Sequence, residues 1–221
     1  MGQWEPLMAR DGHEFGAWLA APPGKPRGAV VVLQEIFGVN GHIRAVTDRY
    51  AAAGFVAIAP ALYDRIGHRI ETDYQPEDIT RARGYVLQVR RVDALTDIAA
   101  AINVVRHAGK VALIGFSWGG MLAWIGARSL PVSAAVGYYV SRIGEHLDAT
   151  PKCPMLLHFG AHDQQIPLAD VERARQLFPQ GIFHLYAAGH GFNCDQRASY
   201  DAASAALAWQ RTQEFLQQYV G

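Results

Sequence analysis

Residues 110–123 read KVALIGFSWGGMLA, an apolar run that enters a turn of small residues and continues as a helix-forming segment. The turn carries the pattern G-x-S-x-G over residues 115–119, with Ser117 at its centre. Between a strand and a helix, this pattern makes a turn so tight that glycines are needed on either side of the serine. The serine oxygen then lies at a helix N-terminus, where backbone N–H groups favour negative charge. Ser117 is therefore predicted to be a nucleophile; the alternative is a chance match in a glycine-rich loop.

Short β-branched runs alternate with helical patterns on both sides of this turn. Continuously apolar runs, such as AVVVL at residues 29–33, indicate strands buried on both faces of a sheet. Helices between successive strands require crossover connections, which make the strands parallel. The sequence therefore predicts an α/β fold, with a mostly parallel central sheet and helices on both faces. The predicted strands are 29–33, 55–59, 111–114, 132–136, 155–159 and 182–186; the predicted helices are 41–53, a long region from Tyr85 to Val105, 121–127, 168–177 and 198–219.

Composition and charge limit the classes of partner. Half of the 221 residues are hydrophobic, and twenty basic residues balance twenty acidic ones. A nucleic-acid or anionic-membrane partner would be expected to leave a basic excess, so a small-molecule partner is expected. No stretch approaches the ~20 apolar residues of a membrane span, and the N-terminal residues do not resemble a secretory signal. We expect one domain over residues 1–221 and a cytoplasmic location; the sequence does not decide the oligomeric state, for which a monomer is slightly favoured.

A general base and an acid follow the serine along the chain. A serine hydroxyl becomes a strong nucleophile only when a neighbouring base takes its proton. His190 lies between two glycines just after the last predicted strand, on a turn that can bring its imidazole to Ser117. Asp163 follows another predicted strand, at the sheet edge where ligands bind in open α/β folds; its alternative role is to cap the next helix. Asp148 and Asp170 are weaker candidates for the acid, because one lies in an irregular stretch and the other inside a predicted helix.

Two backbone N–H groups are expected to bind the oxyanion of the tetrahedral intermediate. They belong to Ile36, in the loop after AVVVL, and to Trp118, the residue after the nucleophile. His158 and His162 are four residues apart, a spacing that aligns two metal ligands on a helix. Here the interval contains the end of a strand and a glycine, so no metal site is expected.

Six segments of the sequence resemble the dienelactone hydrolase family (carboxymethylenebutenolidases) of the α/β-hydrolase superfamily. The match runs from about Phe15 to the C-terminal helix, and its segments are QEIFGVN (34–40), GFVAIAPALYDR (54–65), KVALIGFSWGGMLA (110–123), AVGYY (135–139), FGAHD (159–163) and AGHGF (188–192). The resemblance implies an α/β-hydrolase fold and hydrolysis of a small unsaturated lactone that bears a carboxylate, without a cofactor.

The resemblance also implies roles for individual residues. Glu35 resembles the family glutamate that contacts the nucleophile, and Tyr85 resembles the tyrosine near it. Arg81 resembles the arginine that binds the substrate carboxylate, with Arg83 as the alternative if the register slips. The other interpretation of Arg81 is a solvated charge near a helix end.

Two departures from the family pattern leave the activity open. The family usually has cysteine at the position of Ser117, and a thiol with a pKa of ~8.5 is ionised beside an imidazole far more readily than a hydroxyl. Cys194 stands where some members have a second carboxylate-binding arginine, and Arg197 is the nearest arginine. The leading hypothesis is an ester or lactone hydrolase with an acyl-Ser117 intermediate. The alternatives are a hydrolase-fold protein that has lost turnover and only binds, and a carboxylesterase or thioesterase for acyclic substrates.

Overall fold

Eight strands form one sheet in the computed structural model, which describes residues 1–221. Their spatial order is β1-β2-β4-β3-β5-β6-β7-β8; β2 is antiparallel to both of its neighbours, and β3 to β8 pair in parallel. The prediction of an α/β fold with a mostly parallel sheet is confirmed. The strands are β1 (Gln3–Met8), β2 (Glu14–Ala20), β3 (Ala29–Leu33), β4 (Val56–Pro60), β5 (Val111–Phe116), β6 (Ala134–Tyr138), β7 (Met155–Gly160) and β8 (Ile182–Tyr186).

Six α-helices pack around this sheet. Every residue of β3 to β7 is buried, and successive side chains of a strand point to opposite faces, so both faces of the central sheet are covered. No helix combines the length and the apolar content that crossing a membrane requires. The helices are α1 (Gly41–Ala52), α2 (Pro76–Gln88), α3 (Arg91–Val105), α4 (Trp118–Gly126), α5 (Leu168–Leu177) and α6 (Ala202–Tyr219).

The prediction of one long helical region from Tyr85 to Val105 is wrong, because the structure divides this region between two helices, α2 and α3. Val89 and Arg90 have extended backbones, with ψ of 114° and 134°, which interrupts the helix. The Arg90 guanidinium then donates two hydrogen bonds of 2.7 Å to Asp93 and fixes the start of α3. The helix restarts in a new register. Val92 belongs to the apolar residues that recur at three- and four-residue steps from Tyr85 to Val105, a spacing that predicts one buried face, but its side chain is 57% exposed.

The carboxyl ends of the parallel strands lie along one edge of the sheet. The loops that follow β3, β5, β6, β7 and β8 therefore meet at this edge, which is where open α/β sheets bind their ligands. Three predicted boundaries next to these loops differ from the structure. β5 ends at Phe116 instead of residue 114, β6 ends at Tyr138 instead of residue 136, and α4 begins at Trp118 instead of residue 121.

The turn between β5 and α4 is closed by backbone contacts that leave no room for a side chain. A Cβ on Gly115 would lie 2.1 Å from the carbonyl oxygen of Gly119, and a Cβ on Gly119 would lie 2.3 Å from that of Leu33. Carbon and oxygen atoms cannot approach so closely without displacing the backbone, so only glycine fits either position. The turn is thereby pressed against the end of β3, and Ser117 takes φ of 51° and ψ of −108°.

Gly119→Ala is expected to lower the free energy of unfolding by at least about 2 kcal/mol, because the added methyl group must displace the backbone of β3. Gly84→Ala is the matched control. Gly84 lies in α2, and a methyl group added there would have no other atom within 4 Å. Alanine at this position should therefore raise the free energy of unfolding by about 0.5–1 kcal/mol. Urea unfolding followed by circular dichroism measures both changes. A Gly119→Ala variant as stable as the parent would contradict the contact.

Candidate active site

Ser117 lies at the junction of β5 and α4, with its side chain lining a cavity at the carboxyl edge of the sheet. Its backbone N–H donates a hydrogen bond of 2.9 Å to the carbonyl oxygen of Tyr138, the last residue of β6. Ser117 has a positive φ of 51° and is the N-cap residue of α4, so the first N–H groups of the helix follow it directly in the chain. A negative charge that develops on or near this oxygen is therefore favoured by the helix N-terminus.

The structure brings Ser117, His190 and Asp163 together in one hydrogen-bonded chain. Ser117 Oγ lies 2.9 Å from Nε2 of His190, and Nδ1 of His190 lies 2.7 Å from Oδ2 of Asp163. The other carboxylate oxygen of Asp163 accepts hydrogen bonds from the backbone N–H groups of Gln165 (2.7 Å) and Ile166 (3.2 Å). A carboxylate oxygen can only accept a hydrogen bond, so the neutral imidazole that suits this chain has its proton on Nδ1, and its Nε2 is then the atom that can accept a proton from the serine.

The loops that carry Asp163 and His190 are attached to each other. The backbone N–H of Ala161 donates to the carbonyl oxygen of Tyr186 (2.7 Å), and the backbone N–H of His162 donates to the carbonyl oxygen of Ala188 (3.0 Å). A Cβ on Gly160 would lie 2.3 Å from the same Ala188 oxygen, so glycine is needed for this approach. The pairing of β7 with β8 thus continues into the two loops and fixes the distance between Asp163 and His190.

Ile36 and Trp118 both line the cavity, and their backbone N–H groups are available as donors. The N–H of Ile36 makes no hydrogen bond within the protein. Trp118 is the first residue of α4, so its N–H has no partner in a preceding helical turn. Two contacts hold these donors in place: Tyr63 donates its hydroxyl proton to the carbonyl oxygen of Ile36 (2.7 Å), and the Gly119 backbone packs against the end of β3.

The cavity has a volume of about 690 Å³ and combines an apolar wall with cationic groups. Four arginines contribute to its lining, and no aspartate or glutamate does. Such a cavity accepts a small organic molecule and favours one that carries negative charge. The apolar lining residues are Ile36, Phe37, Ile79, Val86, Leu87, Val89, Trp118, Met121 and Leu122, and the arginines are Arg83, Arg91, Arg142 and Arg197.

Arg81 lies outside the cavity, whereas Arg83 is part of its lining. Ile79, Arg83 and Val86 follow each other at four- and three-residue steps along α2, and such spacing puts them on one face of the helix. Arg81 is two residues from Arg83 and points elsewhere. Its half-exposed side chain forms an ion pair with Asp78 on the same helix.

Glu35 and Tyr85 lie close to the cavity without lining it. Glu35 is 2% exposed, and its Oε1 has no hydrogen-bond partner but lies 3.7 Å from Nη1 of Arg197. No hydrogen bond joins Glu35 to the serine. The ring of Tyr85 packs against Tyr63 (5.7 Å between centroids), which in turn stacks on Trp118 (5.5 Å). Tyr85 therefore supports the wall of the cavity from behind.

Several residues of the site were not identified from the sequence. Ser141 has its Oγ 2.8 Å from Ser117 Oγ, and both Ser141 and Arg142 line the cavity. They follow β6, so the sheet-edge rule that indicated Asp163 could have indicated them. Arg91 lines the cavity because α3 begins there, at a break that carries no glycine or proline signal.

Two groups of potential metal ligands have distinct environments. His158 is fully buried, and its two ring nitrogens lie 2.8 Å from the Tyr186 hydroxyl and 3.0 Å from Oγ1 of Thr212. Burial also holds the pKa of His158 well below its usual value.

A second group, which no sequence pattern indicated, consists of one ligand atom from each of His42, Cys194 and Asp195, within 4.8 Å of one another.

This second group is hydrogen-bonded within the protein. Nδ1 of His42 lies 3.1 Å from Oδ1 of Asp195, and the Cys194 thiol donates to the Tyr74 hydroxyl over 3.4 Å. Burial raises the pKa of Cys194 to about 11, so its sulfur is held as a thiol at neutral pH.

Comparison with known proteins identifies close relatives along nearly the whole chain. The family model described as the dienelactone hydrolase family matches residues 15–220. A Synechocystis protein named "Putative carboxymethylenebutenolidase" is 38% identical over 208 residues, 85% of each chain. The carboxymethylenebutenolidase of Pseudomonas putida is 36% identical over 226 residues, 95% of this chain and 94% of its own. The crystal structure of a "Putative Dienelactone Hydrolase" from Klebsiella pneumoniae superposes with a TM-score of 0.90 at 33% identity and covers 99% of both chains.

More distant structures share the fold alone. The esterase Pf2001 of Pyrococcus furiosus covers the whole of this chain with a TM-score of 0.71 at 14% identity. The family model and the relatives above 30% identity carry the assignment: the protein is an ester or lactone hydrolase that belongs to the dienelactone hydrolase family, within the α/β-hydrolase superfamily.

Proposed function

We propose that the protein hydrolyses a small carboxylic ester or lactone that carries an anionic group, through an acyl intermediate on Ser117. The observation that carries the proposal is the hydrogen-bond chain from Ser117 through His190 to Asp163 beside an arginine-lined cavity. A serine hydroxyl in contact with a neutral imidazole is prepared to react. This arrangement favours turnover over the alternative in which the chain only binds.

Acylation begins when Ser117 Oγ attacks the carbonyl carbon and its proton passes to Nε2 of His190. The resulting imidazolium is stabilised by its hydrogen bond to Asp163, which stays ionised. The carbonyl oxygen becomes an oxyanion, for which the N–H groups of Ile36 and Trp118 are the candidate donors. Two such donors lower the barrier because they are already oriented before charge develops.

The intermediate then collapses and the second half-reaction restores the enzyme. His190 gives the proton from Nε2 to the departing alkoxide oxygen, which for a lactone remains attached to the acyl chain. Water attacks the acyl-Ser117 ester, its proton passes to His190, and the same proton returns to Ser117 Oγ as the acid leaves. An ester gives a carboxylic acid and an alcohol or enol, whereas a lactone gives one molecule that carries both groups.

We assign the binding of the substrate's negative charge to the arginines on the α2–α3 side of the cavity. Neither Arg83 nor Arg91 forms an ion pair with a carboxylate of the protein, whereas Arg142 pairs with Glu145 and Arg197 lies 3.7 Å from Glu35. A free guanidinium can bind a carboxylate through two parallel hydrogen bonds. Arg83 and Arg91 are therefore proposed to bind the anionic end of the substrate.

Ser117→Ala and His190→Ala are each expected to lower kcat for hydrolysis of p-nitrophenyl acetate by about 10³-fold or more, because they remove the nucleophile and its base. Release of p-nitrophenolate measures the rate. Ser129→Ala and His107→Ala are matched controls, since both side chains are exposed and neither lines the cavity. Activity that survives both active-site substitutions would exclude the proposed mechanism.

Arg83→Gln and Arg91→Gln are each expected to raise KM for 4-nitrophenyl hemisuccinate by about tenfold, because each removes one charge-assisted contact. KM for the neutral 4-nitrophenyl butyrate should change little. Arg81→Gln is the control on the other side of α2 and should affect neither substrate. The role given to Arg83 and Arg91 is refuted if both substrates are affected equally, or if Arg81→Gln has the larger effect.

A further inference from the structure

We propose that Ser141 is a second catalytic hydroxyl, which donates a hydrogen bond to Ser117 Oγ and stabilises the negative charge that this oxygen acquires during the reaction. The two hydroxyl oxygens lie 2.8 Å apart. The inference deepens the proposed function and rests on it, because it requires Ser117 to be the nucleophile.

The position of Ser141 is fixed by the bonds that fix the nucleophile itself. Ser117 donates its backbone N–H to Tyr138 (2.9 Å), and Ser141 donates its own back to the carbonyl oxygen of Ser117 (3.2 Å). Between these bonds, Tyr139 has φ of 38° and donates its backbone N–H to the carbonyl oxygen of His158 (2.6 Å); directly after Ser141, Arg142 has φ of 53°. Left-handed backbone at two large residues is unfavourable and persists only where the surroundings impose it. The chain thus bends sharply after β6 and presents Ser141 to Ser117.

The positions of the protons on His190 and Ser117 determine the direction of the hydrogen bond between the two serines. Nδ1 of His190 carries its proton toward Asp163, so Nε2 of the neutral ring can only accept. Ser117 therefore donates its single proton to Nε2, and its oxygen is left with lone pairs alone for its other neighbour. Ser141 must be the donor in the 2.8 Å contact.

A donor at this position acts in both half-reactions. As Ser117 loses its proton to His190, charge builds on Oγ before the bond to the carbonyl carbon is complete, and a hydrogen bond to a charged oxygen is stronger than one to a neutral oxygen. In the acyl intermediate Oγ is an ester oxygen and a poor acceptor. When the acid product leaves, Oγ is the leaving group and regains charge, so the same donor stabilises the second transition state.

The need for this donor depends on the element at the nucleophilic position. A thiol has a pKa of ~8.5 and reacts as a thiolate beside an imidazole, with sulfur accepting hydrogen bonds weakly. Replacing Ser117 by cysteine should therefore abolish most of the advantage that Ser141 confers. A merely structural role for Ser141 predicts the same loss in either background.

Ser141→Ala is expected to lower kcat/KM for p-nitrophenyl acetate about 10- to 100-fold, with KM nearly unchanged, because a hydrogen bond to a charged group is lost in the transition state. The rate of covalent inactivation by a fluorophosphonate should fall by a similar factor. Ser141→Thr keeps the hydroxyl and should retain activity within about threefold of the parent. Ser141→Cys nearly keeps the side-chain volume but carries a weak hydrogen-bond donor, so its kcat/KM should fall almost as far as that of Ser141→Ala. This variant provides a second measurement if the alanine variant folds poorly.

The double-mutant cycle with Ser117→Cys completes the test. In that background Ser141→Ala should change the rate of acylation by less than about threefold. The inference is overturned if Ser141→Ala leaves the parent rate unchanged, or if the loss is the same with serine and with cysteine at position 117. A parent protein that neither hydrolyses the ester nor reacts with the fluorophosphonate would instead refute the proposed function, and the inference with it.

Discussion

The close approach of the Gly115 and Gly119 backbones is the constraint on which the site depends. With a Cβ position on Gly115 only 2.1 Å from the Gly119 carbonyl oxygen, the chain can reverse from β5 into α4 within a few residues. That reversal forces left-handed backbone on Ser117 and puts its hydroxyl at the start of a helix. It also presses Gly119 against β3, which brings the loop of Ile36 next to Trp118. One pair of glycines therefore positions the proposed nucleophile and both candidate oxyanion donors.

The other groups of the proposed mechanism come from loops on the same edge of the parallel sheet. Asp163 follows β7, His190 follows β8 and Ser141 follows β6, so each is held close to the end of a strand of the sheet. The loops are joined by backbone hydrogen bonds between residues 161–162 and 186–188, and between residues 117 and 138–141. Residues with left-handed backbone cluster at this edge, where a rigid core can impose strain on the candidate site.

Local patterns predicted the fold class and the strand ends at which the candidate catalytic residues lie. Ser117, Asp163 and His190 each lie one turn beyond an apolar strand, and the structure brings these three side chains within hydrogen-bond distance. The strand 182–186 and the helix 168–177 were placed at their observed bounds. Burial on both faces makes the central strands continuously apolar, so their sequences are distinctive.

Features that depend on packing between distant segments could not be predicted in this way. The break at Val89 and Arg90 has no glycine or proline, and the apolar repeat runs across it. The register of α2 could not be predicted either, and it decides which arginine reaches the cavity. Arg83 lines the cavity, whereas Arg81 pairs with Asp78. The sheet-edge rule covers Ser141 as a residue that follows β6, but the end of β6 was predicted two residues too early, and the contact of Ser141 with a serine 24 positions earlier arises from packing alone.

The most direct test of the mechanism is a crystal structure of the protein after reaction with a p-nitrophenyl alkylphosphonate, which mimics the tetrahedral intermediate. We expect phosphorus bonded to Ser117 Oγ, with one phosphoryl oxygen about 3 Å from the backbone nitrogens of both Ile36 and Trp118. An adduct on another residue, or a phosphoryl oxygen that points away from both nitrogens, would contradict the central claim.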